Sequence, residues 1–183
     1  RREDARSIGK RMETVLGIPP QEVIRRHERS IRAASGAGLR TVYLVRHGAI
    51  QCAGRPRRFI GQLDLPLNER GRLQAERLRV ALRGAPLSAV YCSDLRRSMD
   101  TAEIIAAPHG LSCIPRRDLR EIALGQWDGL TFDRVRRDFP LEFVERGRDI
   151  VHYRPPGGES FLDCTGRVMA AFFDIIHSSR GDL

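Results

Sequence analysis

From residue 39 onward the chain alternates short apolar, β-branched runs with longer amphipathic stretches, and this rhythm limits the possible folds more than any other feature. "LRTVYLV", residues 39–45, predicts a buried parallel strand, because a strand covered on both faces reads as a continuous apolar run. Its C-terminal end carries the polar triplet Arg46, His47 and Gly48. After a loop rich in Gly, Pro and Arg, "NERGRLQAERLRVALRG" predicts a helix with Asn68 as N-cap, Leu73, Leu78 and Leu82 at helical spacing, and a stop at Gly84. "LSAVYCS" predicts a second strand, "RRSMDTAEIIAAPHG" a second helix ending at Gly110, and "LSCIPR" a short third strand. "TFDRVRRDF" predicts a helix before Pro140, and "ESFLDCTGRVMAAFFDIIHSSRG" a long final helix. Alternating strands and helices predict an α/β domain with a mostly parallel sheet.

Residues 1–38 have another character. They read as two helical stretches broken at Gly17, Ile18, Pro19 and Pro20, followed by the linker "SGAG". The expected organisation is a helical N-terminal arm, or the tail of a preceding domain, over 1–38 and one catalytic domain over 39–183. His27, among charges in the arm, reads as a solvated surface histidine.

Composition narrows the partners. The 32 basic and 23 acidic residues leave a net charge of +9, which suits nucleic acid, an anionic membrane surface or small anionic substrates. With only 6% aromatic residues and no aromatic RNA-binding motif, the composition argues against nucleic acid. No apolar run has the roughly 20 residues of a membrane span, and the first ten residues lack a signal-peptide core. Cys52, Cys92, Cys113 and Cys164 are far apart, without a CxxC pair, so neither zinc nor a disulfide framework is expected. Reduced thiols in a cytoplasm are the expectation. The sequence contains no reading of oligomeric state.

In open α/β sheets, ligands bind outside the carboxyl ends of the strands. One strand end delivers Arg46 and His47 there; the next delivers Ser93 and Asp94, followed by Arg96 and Arg97. Guanidinium forks match phosphate oxygens. A histidine among them has its protonated form disfavoured, so its nitrogen lone pair is available to attack phosphorus. Gly48 would allow the backbone to approach the anion. The triplet alone equally fits a histidine hydrogen-bonded at a strand end.

Further segments follow in order: "GQLDLPLNERGRLQAERL", "VYCSDLRRSMDTAEIIA", "LREIALGQWDGLTF" and "YRPPGGESF". Together with "YLVRHG" they resemble the histidine phosphatase superfamily, the phosphoglycerate-mutase-like proteins, over residues 41 to about 177. The resemblance implies a three-layer αβα fold with a mostly parallel central sheet. It also implies that His47 is the nucleophile that becomes a phosphohistidine, that Arg46 and Arg97 bind the phosphoryl group, and that Glu121 is the general acid and base. Arg96 falls on a variable position and reads as a surface charge, while Trp127 and Gly129 read as structural supports. Glu121 could otherwise be a cap or ion-pair glutamate. The "PPGGES" segment fits either a phosphate-side loop or a simple N-cap before the last helix.

Two departures from the family pattern stand out. Ala49 and Ala53 occupy positions where many members carry glutamate and asparagine, leaving Gln51 or backbone groups to take over the asparagine's contact. Members also carry a late strand ending in a second histidine; His109, His152 and His177 sit in the wrong contexts, so the domain is expected to be truncated at its C-terminus. The expected function is a metal-independent, cofactor-free phosphomonoesterase acting on a small phosphorylated metabolite. The E-x-x-x-G-x-W-x-G version of the Glu121 segment, the "PPGGES" ending and the short span from Gly129 to Gly157 resemble the small phosphatase branch that includes α-ribazole phosphatase. A phosphoglycerate mutase, or a phosphate-binding regulatory module without turnover, are the alternatives.

Overall fold

In a computed structural model, residues 40–51 and 56–183 are described. The chain divides into two units, Arg1–Val42 and Tyr43–Leu183, and the elements named below belong to the second. The predicted arm over 1–38, with His27, lies outside the described residues, as do Cys52, Ala53 and Arg55.

Helix α1 (Glu69–Leu82) starts at the predicted cap: Asn68 Oδ1 accepts the Gly71 N–H at 2.8 Å. The Asn68 side-chain amide also donates to Ile50 O at 2.8 Å, so the cap ties the helix to the loop after His47. The buried face of α1 is made by Gly71 and Ala75, whereas Leu73 is 57% exposed. Leu78 and Leu82 are half-buried, so the predicted leucine stripe is only part of the packing face, and Gly71 lies against the backbone of Ala49. Helix α1 packs on α2 (Arg96–Ala106), which buries Arg97, Thr101, Ala102, Ile105 and Ala106. A 3₁₀ turn continues α2 to His109 and ends at Gly110, whose φ of +66° is the left-handed conformation glycine favours.

Strands β1 (Val90–Cys92) and β2 (Cys113–Pro115) pair in parallel, with Val90 opposite Cys113 and Cys92 opposite Pro115. The crossover through α2 is what a parallel pair requires. The fold is α/β, as the alternation predicts. "LRTVYLV" departs from its prediction: residues 40–49 form no strand, and Leu44 is 82% exposed. Parallel strands are held by ladders, and here Tyr43 N–H donates to Leu183 O at 2.8 Å while Asp182 bridges to Leu87. Between Tyr43–Val45 and β1 runs a groove of about 250 Å³, so the apolar segment faces a gap instead of a neighbouring strand. Apolar patterning reports what a segment is suited to cover, not whether a partner is in place.

The main core cluster lies beyond the sheet. Phe59, Ile122, Leu124, Trp127 and Val135 are buried together, and Trp127 is fully enclosed with ring neighbours Phe59 at 5.3 Å and Tyr153 at 5.7 Å. Val135 belongs to α3 (Phe132–Asp138), capped by Thr131 as "TFDRVRRDF" predicts. Pro140 does not end the helical region. Phe139 breaks the α3 geometry (φ −135°, ψ 57°) and Pro140 opens a further helix, α4 (Pro140–Arg148), that the sequence reading lacked. Proline suits the first helical turn, where its missing N–H costs nothing. The last helix, α5 (Phe161–Ser178), starts in a capping box between Ser160 and Asp163. Among the described residues, no helix is long and apolar enough to cross a membrane.

Candidate active site

The loop carrying His47 is fixed by its backbone. Gly48 N–H donates to Thr101 Oγ1 at 3.2 Å, Ala49 N–H donates to Gln74 Oε1 at 2.8 Å, and Ala49 O accepts from Asn68 N–H at 3.0 Å. The Thr101 hydroxyl in turn donates to Arg97 O at 2.8 Å, linking the loop to the helix that supplies the arginine. Gly48 and Gly71 lie backbone to backbone. A Cβ on Gly48 would stand 2.3 Å from Gly71 O, and one on Gly71 would stand 2.0 Å from Ala49 O. The need for glycine at 48 is thus set by helix α1, where the sequence reading assigned it to the anion.

This contact makes a prediction with a decided sign. Alanine at position 71 gains about 1 kcal/mol of helix propensity over glycine. The clash is with backbone atoms that cannot rotate away, and overpacking of that kind costs about 1–3 kcal/mol. Gly71→Ala is therefore expected to lower the denaturant midpoint and turnover together; a midpoint at or above wild type would refute the contact.

His47 Nδ1 is 2.7 Å from Gly48 O. A carbonyl only accepts, so Nδ1 carries the proton and Nε2 keeps its lone pair in the neutral ring. The imidazole pKa lies below its ordinary value. Burial is the largest cause, with the charges of Arg97 and Arg46 acting in the same direction; the Gly48 carbonyl and Glu121 oppose them. His47, Arg46, Arg97 and Glu121 all line one pocket of about 740 Å³. The structure brings together all four residues proposed from sequence.

Arg97 is 2% exposed. Its Nη1 donates to Leu63 O and its Nη2 to Gly61 O, both at 2.8 Å, so the guanidinium is oriented before any ligand arrives. Arg46 is exposed at the pocket rim. Arg96 is a surface residue, as read from sequence; its backbone N–H donates to Asp64 at 2.7 Å.

Glu121 reaches the pocket from a loop clamped on its far side. Arg167 donates to Asp118 O at 2.9 Å and to Arg120 O at 3.1 Å, and its Nε and Nη2 grip both carboxylate oxygens of Glu159. Glu159 also accepts the Ala123 N–H at 3.0 Å and returns its own N–H to Ala123 O at 2.8 Å. A second clamp joins Arg120 to both oxygens of Asp94 at the end of β1. Gly125 and Gly158 allow the "PPGGES" backbone to lie against this loop: a Cβ on Gly125 would sit 2.2 Å from Pro156 O. Of the two readings left open for that segment, the structure places Ser160 in the capping role and Glu159 in the clamp; neither lines the His47 pocket.

Gln51 lies outside the pocket lining and gives its backbone N–H to Pro66 O; Gln74 is the amide at the wall. His109, His152 and His177 line no part of the pocket, and His177 Nδ1 is bonded within α5 to Phe173 O at 2.6 Å. Trp127 and Gly129 are supports: the first fills the core, and the second, at φ +81°, donates its N–H to Phe59 O. Thr101 and Gln74 escaped functional notice in the sequence, since ordinary polar residues on helices give no local signal. Cys92, whose thiol is pushed up to about 12 chiefly by burial, is not a nucleophile. Among the described residues, no group of three or more His, Cys, Asp or Glu side chains could hold a metal ion.

The family model of the histidine phosphatase superfamily, branch 1, matches residues 42–183. The chain belongs to this superfamily. This histidine phosphatase is 37% identical over 124 residues to the phosphoglycerate mutase-like protein 4 of Arabidopsis thaliana, covering 67% of this chain and 54% of that one. The solved mycobacterial glucosyl-3-phosphoglycerate phosphatase superposes with a TM-score of 0.65 at 33% identity, covering 73% of this chain and 62% of the other. The α-ribazole phosphatase of Shigella flexneri gives a TM-score of 0.70 at 25% identity, with 78% and 71% coverage. The chain thus spans under two thirds of the length of the first two relatives.

Proposed function

We propose that the chain carries a metal-independent phosphomonoester hydrolase that works through a phosphohistidine on His47 and takes a small anionic phosphorylated metabolite. The observation that carries this reading is the tautomer lock. With Nδ1 engaged by Gly48 O, the His47 lone pair stands on Nε2 in a pocket that also holds Arg46, Arg97 and Glu121.

In the first step Nε2 forms a bond to phosphorus while the ester P–O bond breaks. The leaving alkoxide takes a proton from the Glu121 carboxyl, and charge spread over the three equatorial oxygens meets the two guanidiniums. In the second step Glu121, now a carboxylate, removes a proton from water as the water oxygen bonds to phosphorus. The N–P bond breaks, inorganic phosphate leaves, and both residues return to their starting states. The Gly48 carbonyl supports the ring while it is formally cationic. The names of the two phosphatase relatives support hydrolysis as the reaction class.

The test is to quench the protein during turnover of a ³²P-labelled monoester. The expected result is an acid-labile, base-stable phosphoenzyme that chases to inorganic phosphate, unchanged by EDTA. Label that never appears points to a binding module, and transfer to a second position of the organic product points to a mutase.

A further inference from the structure

The backbone approach of α1 to the His47 loop at Gly71 brings one side chain of that helix to the pocket. Gln74 stands three residues after Gly71, on the same helical face, and lines the His47 pocket. Its Oε1 accepts the Ala49 N–H at 2.8 Å. A backbone N–H only donates, so the amide oxygen must face it, and the other arm of the amide is Nε2 with two N–H groups. Nε2 has no acceptor among the described residues and is open to solvent. The amide is thus tied at one end to the loop that carries His47 and free to donate at the other.

Phosphoryl transfer spreads negative charge over three equatorial oxygens, and donors held in place beforehand stabilise that charge best. The charges that bear most on His47 are those of Arg97, Arg46 and Glu121, so two guanidiniums stand near the nucleophile. Arg97 already commits two N–H donors to Gly61 O and Leu63 O. The Thr101 hydroxyl accepts from Gly48 and gives its hydrogen to Arg97 O, so it has no donor left. Apart from His47, Gln74 is the one uncharged hydrogen-bonding side chain among the described residues of the pocket lining. Its position is also preorganised, because Oε1 is pinned to Ala49 and α1 is capped by Asn68, which itself bonds Ile50 O.

We propose that Gln74 Nε2 donates a hydrogen bond to an equatorial oxygen of the phosphoryl group on its way to and from His47, beside the guanidiniums of Arg46 and Arg97. The close contact of Gly48 with Gly71 then serves the chemistry, since it brings α1 near enough for one amide to hold the loop and face the ligand. A part in phosphoryl transfer rests on the hydrolase reading, but the contact is with a bound oxyanion and is testable without turnover.

The experiment uses the full chain, ¹⁵N-labelled, with orthovanadate, whose five-coordinate adduct on a histidine nitrogen presents three equatorial oxygens. The Gln74 side-chain amide is assigned by its loss from the spectrum of Gln74→Met. One of its two protons is expected to move downfield at vanadate saturation, as a new hydrogen bond to an oxyanion requires. Calorimetry is expected to show vanadate binding about tenfold or more weaker in Gln74→Met, with a similar fall in kcat/KM for 4-nitrophenyl phosphate. Gln74→Glu keeps an acceptor for the Ala49 N–H but offers no donor. It is expected to hold the wild-type denaturant midpoint and to lose at least as much vanadate affinity. An amide that stays in place at saturation, or wild-type vanadate affinity in either variant, overturns the contact. A loss confined to the denaturant midpoint overturns it too, and leaves Gln74 as a loop support. Failure of wild type to bind vanadate removes both the contact and the hydrolase reading. If the amide shift and the affinity losses appear but no ester is turned over, the contact stands and the hydrolase reading falls.

Discussion

His47→Ala is expected to abolish phosphoenzyme formation and to lower kcat/KM by about 10⁴-fold or more, because loss of a covalent nucleophile leaves only binding and electrostatic assistance. The variant should fold normally. His47 lies on a loop whose position is set by Gly48, Ala49 and Asn68 backbone contacts, and among the described residues its side chain hydrogen-bonds only to the adjacent carbonyl. The same residue fixes the acid side of the pH profile. The reactive form is neutral, so kcat/KM falls as pH drops through the His47 pKa. Burial and the two arginines favour the neutral form over the opposing pull of Gly48 O and Glu121, which moves the inflection below the ordinary imidazole value. A profile that inflects above that value in wild type, or a His47→Ala protein that still traps labelled phosphate, would remove His47 from the role.

Arg97→Ala is expected to cost about 10²–10³-fold in kcat/KM, the range for removing one preorganised donor to developing charge. It should also destabilise the fold by about 2–4 kcal/mol, because the carbonyls of Gly61 and Leu63 lose their donor and a buried volume is emptied. Arg97→Lys separates the two effects. It keeps the charge, yet a single ammonium cannot hold both carbonyls in the fork geometry and still face the ligand. The lysine variant is thus expected to be folded by circular dichroism and still at least tenfold impaired. Wild-type kcat/KM in that variant would show that charge alone, without the fixed fork, is enough.

The consequences of these two substitutions differ because the residues are held differently. His47 is positioned by main-chain contacts and a pair of facing glycines, so its side chain can be removed without disturbing the loop. Arg97 is itself part of the scaffold, spanning from α2 to the Gly61–Leu63 segment. Glu121 is a third case: it reaches the pocket while Arg167 and Glu159 hold the chain on either side of it.

The sequence was most informative where a local signal coincides with a local cause. Asn68 caps α1 and Ser160 caps α5 because a side-chain oxygen satisfies an N–H two or three residues away, and such short-range bonds leave a readable pattern. It was least informative at Pro140, taken for a stop, since the same residue that ends one helix is favoured in the first turn of another. The leucines of α1 were legible only in part. Helical spacing identifies a face, but Leu73 is exposed while Gly71 is buried where the Ala49 backbone comes close.

By itself the sequence determined the α/β alternation and the superfamily, and it named Arg46, His47, Arg97 and Glu121 as candidate site residues. The alternation is a property of short stretches, and the candidates follow from the family resemblance of ordered motifs. Only the tertiary structure decided that Gly48 serves helix α1, that Glu159 and Arg167 clamp the Glu121 loop, and that Tyr43–Val45 run beside an open groove. It also decided that Arg146 lies over the Phe59 ring at the pocket wall. Each of these depends on which surfaces the fold brings together, and whether a charge is neutralised or a strand is paired is fixed by neighbours far away along the chain.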